Sequence, residues 1–214
     1  MTKTLLCFGD SNTHGTKPIE VLGNAQRHPR HIRWPGKLAA LLGATWHVIE
    51  EGHPGRTTVF DDPIDGSNRN GFSMLPCLLE THTPIDLVIL KLGTNDVKPR
   101  FSMTPTDISL GIEKLISTIQ ASGCGPNKGA PQILLVAPAP VIQEGTLKLV
   151  FEGSAAKSEQ LAHFYELSAH KLGCAFFDAG TVAKTDPIDG VHLNEEAHHA
   201  IAHALHSKIE REYS

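Results

Sequence analysis

The chain has 214 residues, is 40% hydrophobic and 20% charged, and carries a net charge of −4 with its 13 histidines neutral. That length and balance fit one α/β domain over residues 1–214 with a core of ordinary size. The charge offers no basic face for phosphates in general, which argues against nucleic acid as a partner, and no window is long or apolar enough to span a bilayer.

The opening Met1-Thr2-Lys3-Thr4-Leu5 runs straight into a strand over 4–8. It lacks the apolar stretch of about 7–15 residues and the small-residue cleavage site of a signal peptide. Cys7, Cys77, Cys124 and Cys174 are scattered without a CxxC pair, so the reading is a reduced, cytoplasmic protein without a disulfide framework. Gly9-Asp10-Ser11-Asn12 follows the first strand directly. A turn there presents one hydroxyl at the strand's end, with Asp10 accepting backbone hydrogen bonds beneath it. Trp34-Pro35 opens a helix that Gly43 closes. Trp34 and Trp46 read as packing residues. A strand over 46–50 leads into Glu51-Gly52-His53-Pro54-Gly55-Arg56-Thr57. The polar stretch 56–71 resists assignment and reads as a loop, either a solvated connection or a source of substrate contacts.

A strand over 87–92 is apolar on both faces and is followed by Gly93-Thr94-Asn95-Asp96. Thr104-Pro105-Thr106-Asp107 caps a helix whose Ile108, Ile112, Leu115, Ile116 and Ile119 recur at helical spacing. After a strand over 133–137 and a second unassigned loop, 138–153, Ser154 can cap a helix. Leu161, Phe164, Tyr165 and Leu172 form its inner side and Gly173 ends it. A strand over 175–177 precedes Asp189-Gly190-Val191-His192, and Asn194 caps a last helix. Ala197, Ile201, Leu205 and Ile209 face the sheet, which leaves His198, His199, His203 and His206 mostly outward. The i, i+4 spacing of His199 and His203 suits a metal pair, but their outward position argues against a functional one. Strands separated by spacers long enough for crossover helices favour a parallel sheet.

The chemistry follows from three of these segments. A serine hydroxyl is a poor nucleophile without a base in reach, and the base needs an orienting partner. Asp189 and His192 are three residues apart, so one turn can set the carboxylate on Nδ1 and leave Nε2 for Ser11. The amide of Asn95 can donate to a developing oxyanion, and Gly55 can aim a backbone N–H at the same oxygen. Asp10, Asp96 and His192 also invite comparison with a metallophosphoesterase, but the Asp-x-His start of that class is absent. A ligand-binding module with a dead centre would lack one member of the set, and none is lacking.

Four blocks in order, Gly9-Asp10-Ser11, Gly55, Gly93-Thr94-Asn95-Asp96 and Asp189-Gly190-Val191-His192, resemble the SGNH hydrolases, the superfamily of the GDSL esterases and lipases. The resemblance implies a flavodoxin-like three-layer α/β/α sandwich with a five-stranded parallel sheet. It implies Ser11 as nucleophile, His192 as base and Asp189 as its partner. The Ser11 N–H, the Gly55 N–H and the Asn95 side chain would form the oxyanion hole. Asn12 stands where the GDSL block has leucine.

Further stretches, among them Val48-Ile49-Glu50-Glu51-Gly52, Arg56-Thr57-Thr58, Asp61-Asp62-Pro63 and Phe151-Glu152-Gly153, are similar to the bacterial arylesterase/acyltransferase subgroup. That likeness implies cleavage of small acyl esters and acyl transfer to alcohols or peroxide in some members; no cofactor and no metal are expected. It also implies homo-oligomers. Asn12, His14 and Thr16 replace the bulky apolar residues the subgroup carries after its nucleophile. A polar entrance retains water, so hydrolysis is expected to dominate transfer. Asn12, His14 and Arg56 are the candidate contacts to a small-molecule ester, although Arg56 also reads as a solvent-facing side chain.

Overall fold

A computed structural model describes residues 2–213. Its five strands, β1 (Lys3–Gly9), β2 (Trp46–Gly52), β3 (Leu87–Lys91), β4 (Gln132–Ala137) and β5 (Ala175–Asp178), form one parallel sheet in the order β2-β1-β3-β4-β5. That is the flavodoxin-like order expected from the sequence. Six α-helices accompany them: α1 (Ser11–His14), α2 (Trp34–Leu42), α3 (Gly71–Thr81), α4 (Pro105–Ala121), α5 (Ala155–Leu172) and α6 (Glu195–Glu212).

The strands alternate between two cores. Leu6, Phe8, Val88, Leu90, Ile133 and Leu135 pack with α3, α4 and α5. Leu5, Cys7, Leu87, Ile89, Leu134 and Val136 pack with α2 and α6. Apolar side chains on both faces are what a sheet covered twice requires, and truncating one such leucine to alanine costs about 2–5 kcal/mol. Trp34 and Trp46 are both buried in the second core. Among the described residues no helix is long and apolar enough to cross a membrane.

The capping signals hold with one exception. Thr104 and Asp107 form a reciprocal capping box at α4, and Asn194 accepts from the Ala197 N–H at α6. Ser154 precedes α5, but its hydroxyl makes no cap bond. It donates instead to the Val97 carbonyl at 2.7 Å, tying α5 to the loop after β3. On α5, Phe164 is half-buried beside His163, outside both cores, while Leu161 and Tyr165 face inward. Helix α3 is not expected from the sequence. Asn70 caps it, accepting from Phe72 and Ser73 N–H, and Pro76 lies inside it.

Register places the site. Gly9 pairs with Gly52 on one side and with Lys91 on the other, so β1, β2 and β3 end at the same level. The chain leaves these three neighbours in the segments that begin Asp10-Ser11, His53-Pro54-Gly55 and Leu92-Gly93-Thr94-Asn95. The order reverses at β1 and β3, and in such sheets ligands bind beyond the carboxyl ends at that point.

Candidate active site

Ser11 opens the one-turn helix α1. Asp10 caps it, accepting from the Asn12 N–H at 2.9 Å. The turn lies so close to β2 that a Cβ on Gly52 would stand 2.1 Å from the His14 nitrogen. Only glycine lets the strand end pass under the serine.

At the other end of the chain, Gly190 turns with φ +80° and brings His192 back over α1. Ser11 Oγ lies 3.0 Å from His192 Nε2, and His192 Nδ1 lies 2.6 Å from Asp189 Oδ2. The Asp189 carboxylate is fully buried. Its Oδ1 also accepts from the N–H groups of Val191 (2.9 Å) and His192 (2.8 Å), and Oδ2 accepts from Ile19 N–H at 2.7 Å. Burial pushes its pKa up. The hydrogen bond and charge of His192 with the backbone N–H groups outweigh that and hold it below the ordinary carboxylate value. An ionised partner fixes the tautomer that keeps Nε2 available as a base.

Asn12 makes this meeting specific. It is 2% exposed and does not line the cavity. Its Nδ2 donates to the Val191 carbonyl at 3.1 Å and its Oδ1 accepts from Leu193 N–H at 3.1 Å. The expected substrate contact is therefore corrected: Asn12 clamps the histidine loop to the serine turn. Arg56 is corrected too. It is buried, its Nη1 donates to the carbonyls of Gly9 (2.8 Å) and Glu51, and its guanidinium lies 4.3 Å from the Phe8 ring centre. Burial lowers its pKa to about 10. It braces the ends of β1 and β2 and faces neither substrate nor solvent.

Ser11, Gly55, Asn95 and His192 open onto one cavity of about 570 Å³, with His14 and Thr16 also in its wall. Asn95 Nδ2 donates to the Arg56 carbonyl at 3.0 Å, which orients the amide. Gly55 adopts φ +78°, a conformation that favours glycine. Among the described residues the N–H groups of Ser11 and Gly55 have no protein acceptor. Behind Asn95, the Tyr165 hydroxyl donates to the Leu92 carbonyl at 3.0 Å, and a Cβ on Gly93 would stand 2.1 Å from that hydroxyl.

Asp96 is fully buried. Its Oδ1 accepts from the Thr58 N–H and hydroxyl at 2.9 and 2.6 Å, and burial raises its pKa to about 6. Asp10 and Asp96 thus serve local hydrogen bonds. Among the described residues no three His, Cys, Asp or Glu side chains converge as metal ligands would. On α6, His198 is the exception to an outward histidine face. It is fully buried, its Nδ1 accepts from Trp34 N–H at 3.2 Å, and its ring packs edge-on to His28. Burial, then the charges of His28 and Lys91, lower its pKa to about 3.

The sequence points to the loops 56–71 and 138–153 as wall, and both contribute, but it names no individual side chain for the rest of the wall. Ile19, Leu147, Val150 and Phe151 supply an apolar part, and Arg27, Arg69, Lys98 and Arg100 a cationic part. The first group comes from loops with no periodicity. The second is diluted in a chain of net charge −4.

A buried carboxylate, an imidazole and a hydroxyl in line, beside N–H donors that no described protein group accepts from, define a site built for acyl chemistry. Residues 7–200 match the GDSL-like Lipase/Acylhydrolase family, and the chain belongs to that family, whose members hydrolyse acyl esters. More particular likenesses run along nearly the whole chain. It is similar to the native aryl esterase of M. smegmatis at 42% identity, covering 98% of this chain and 99% of that one, with a TM-score of 0.94. It is also similar to Est24, a carbohydrate acetylesterase from Sinorhizobium meliloti, at 39% identity over 98% and 99% of the two chains, with a TM-score of 0.93. An arylesterase of Vibrio mimicus is 36% identical over 124 residues, 57% of this chain; that match spans about half (51%) of the curated relative's length.

Proposed function

We propose that the protein is a serine esterase that hydrolyses small acyl esters, acetyl and aryl esters among them, through an acyl-enzyme intermediate. The observation that carries this is the Ser11–His192–Asp189 chain at 3.0 and 2.6 Å, open to a cavity that also holds Gly55 and Asn95. The Ser11 oxygen adds to the ester carbonyl carbon as its proton passes to His192 Nε2. The oxyanion that forms takes hydrogen bonds from Ser11 N–H, Gly55 N–H and Asn95 Nδ2. The bond to the alcohol oxygen then breaks, and His192 returns the proton to that oxygen. Water, deprotonated by His192, attacks the acyl-serine and releases the acid. Each oxyanion donor contributes about 3–4 kcal/mol to the barrier reduction.

The likeness to an aryl esterase and to a carbohydrate acetylesterase supports short acyl groups on varied alcohols. Half-buried His14 and buried Thr16 in the wall support a wet entrance, so transfer to other alcohols is a side activity. The proposal includes self-association of the chain around the cavity mouth. Val21, Leu22, Ile64 and Leu149 are 62–75% exposed in loops that also contribute wall residues. It also includes a cytoplasmic setting, with which four free cysteines accord.

The test is a series of p-nitrophenyl esters of rising chain length, read by stopped flow. A burst of nitrophenol equal to the enzyme concentration with acetate, and a steep fall with longer acyl chains, is the expected result. Turnover with no burst while deacylation is the slow step, and equal rates for all chain lengths, would refute it. Sedimentation equilibrium tests self-association, with a monomer at working concentration as the contrary result.

A further inference from the structure

The overall charge of −4 conceals the local charge of the cavity. Its wall holds four cationic side chains, Arg27, Arg69, Lys98 and Arg100, against one acid besides the buried Asp189 behind it, Asp65. Two of the cations are matched. Arg100 pairs with buried Asp62 at 3.0 Å and with Asp65 at 3.4 Å, and Lys98 lies 3.8 Å from Asp65. The other two make no ion pair among the described residues. Arg27 gives its Nε to the His14 carbonyl at 2.7 Å, which leaves both terminal nitrogens without a protein acceptor. Arg69 is half-buried. Its Nη1 rests 3.2–3.3 Å from the ring nitrogens of His53, while its Nε is buried with no hydrogen-bond partner among the described residues.

Placement adds to this. The Arg69 side chain runs along Gly55: a Cβ on Gly55 would stand 3.2 Å from Arg69 Cδ and 3.3 Å from its Nε. The Arg69 guanidinium, with its Nε unpartnered among the described residues, thus flanks the Gly55 N–H assigned to the oxyanion. The neighbouring imidazoles feel the same field. His14 and His53 are both held below the ordinary histidine pKa, first by burial, then by Arg27 for His14 and by Arg56 and Arg69 for His53. A buried N–H donor without an acceptor is costly in the free protein, and a guanidinium fork matches an oxyacid anion.

We propose that the ester this site is built for carries a carboxylate, held by Arg69 with Arg27 as the second cation of the same wall. The proposal rests on the esterase reading above and adds the charge of its substrate. A carboxylate there gives Arg69 Nε its missing acceptor and an ion pair to the part of the wall that has none among the described residues.

Two matched pairs of esters test it and locate the charge. Para-acetoxybenzoate against its methyl ester places the carboxylate on the alcohol side. Mono-p-nitrophenyl succinate against p-nitrophenyl butyrate places it on the acyl side. For each, kcat/KM is divided by the rate with free imidazole, which removes intrinsic reactivity. In one pair the charged ester should be preferred by about tenfold or more at low salt, a preference that shrinks at high salt. Arg69→Gln should collapse the ratio and Arg27→Gln should lower it. Ratios at or below one in both pairs for the unaltered enzyme overturn the proposal, as does a preference that survives both substitutions. Turnover of the neutral esters with no charged preference leaves the esterase reading standing and sinks only this one. No turnover of any of the four sinks both.

Discussion

Replacing Asn12 by leucine, the residue of the GDSL block, keeps the branched outline of the side chain, with bulkier ends, and removes two hydrogen bonds at once. Both bonds are buried and both are 3.1 Å long. They join segments 179 and 181 residues apart, so nothing local replaces them. The Val191 carbonyl and the Leu193 N–H lose their partners in the interior, each at about 1–3 kcal/mol. The sum is about 2–6 kcal/mol, which in a chain of this size lowers Tm by roughly 5–20 °C. These two groups flank His192 in sequence, so the same loss frees the imidazole from its place over Ser11. A displacement of about 1 Å costs roughly 10²-fold in rate. Urea unfolding and p-nitrophenyl acetate kinetics on the same samples measure the two effects. Asn12→Leu with unaltered stability and kcat would refute the claim that this side chain is the clamp.

Asn95→Ala should lower kcat by about 10²–10³-fold with a modest change in KM, since the amide acts on charge that develops in the transition state; an unaffected kcat counts against that role. Asp96→Asn tests the buried acid through stability. The folded-state pKa of about 6 lies above the unfolded value near 3.8, so the native state holds the proton more tightly and this residue's contribution to stability falls as pH rises from about 4 through 6. Asparagine stays neutral and keeps an oxygen for Thr58, so the variant should gain on the order of a few kcal/mol over the parent above pH 6 and nothing below pH 4. Unfolding curves with parallel pH profiles for the two proteins would contradict this. Gly93→Ala puts a methyl group 2.1 Å from the Tyr165 hydroxyl at a φ of +116°; it should reduce stability and kcat together, and adding Tyr165→Phe should restore part of the stability by removing the clashing oxygen. No recovery in the double variant would show that the clash is not the cause.

The strands were legible because each centres on a short apolar run, apolar on both faces in β3 and β4, and all five lie where those runs fall, to within two residues at either end. Helices α4 and α6 were legible from their caps. Helix α3 was not, because it starts at the end of a polar loop and carries Pro76, so punctuation masks its period. Ser11, Asp189, His192, Gly55 and Asn95 could be named from local pattern and family likeness, since each sits in a short turn after a strand or before a helix. Asn12 and Arg56 could not be read correctly, because their partners come from distant segments or from backbone carbonyls that leave no mark in the sequence. His198 lies one position from the stripe of Ala197, Ile201 and Leu205. Ala202 is buried as well, so the buried face of α6 is wider than that stripe and takes in the imidazole.

The central claim is that one hydroxyl, Ser11, is activated by a histidine from the far end of the chain. Intact-mass analysis and peptide mapping after treatment with an organofluorophosphonate address it most directly, with His192→Gln run beside the unaltered protein. A single adduct on Ser11, formed at least about 10³-fold more slowly in the variant, is the predicted result. An adduct on another residue, or full esterase activity in protein that takes no label, would contradict it.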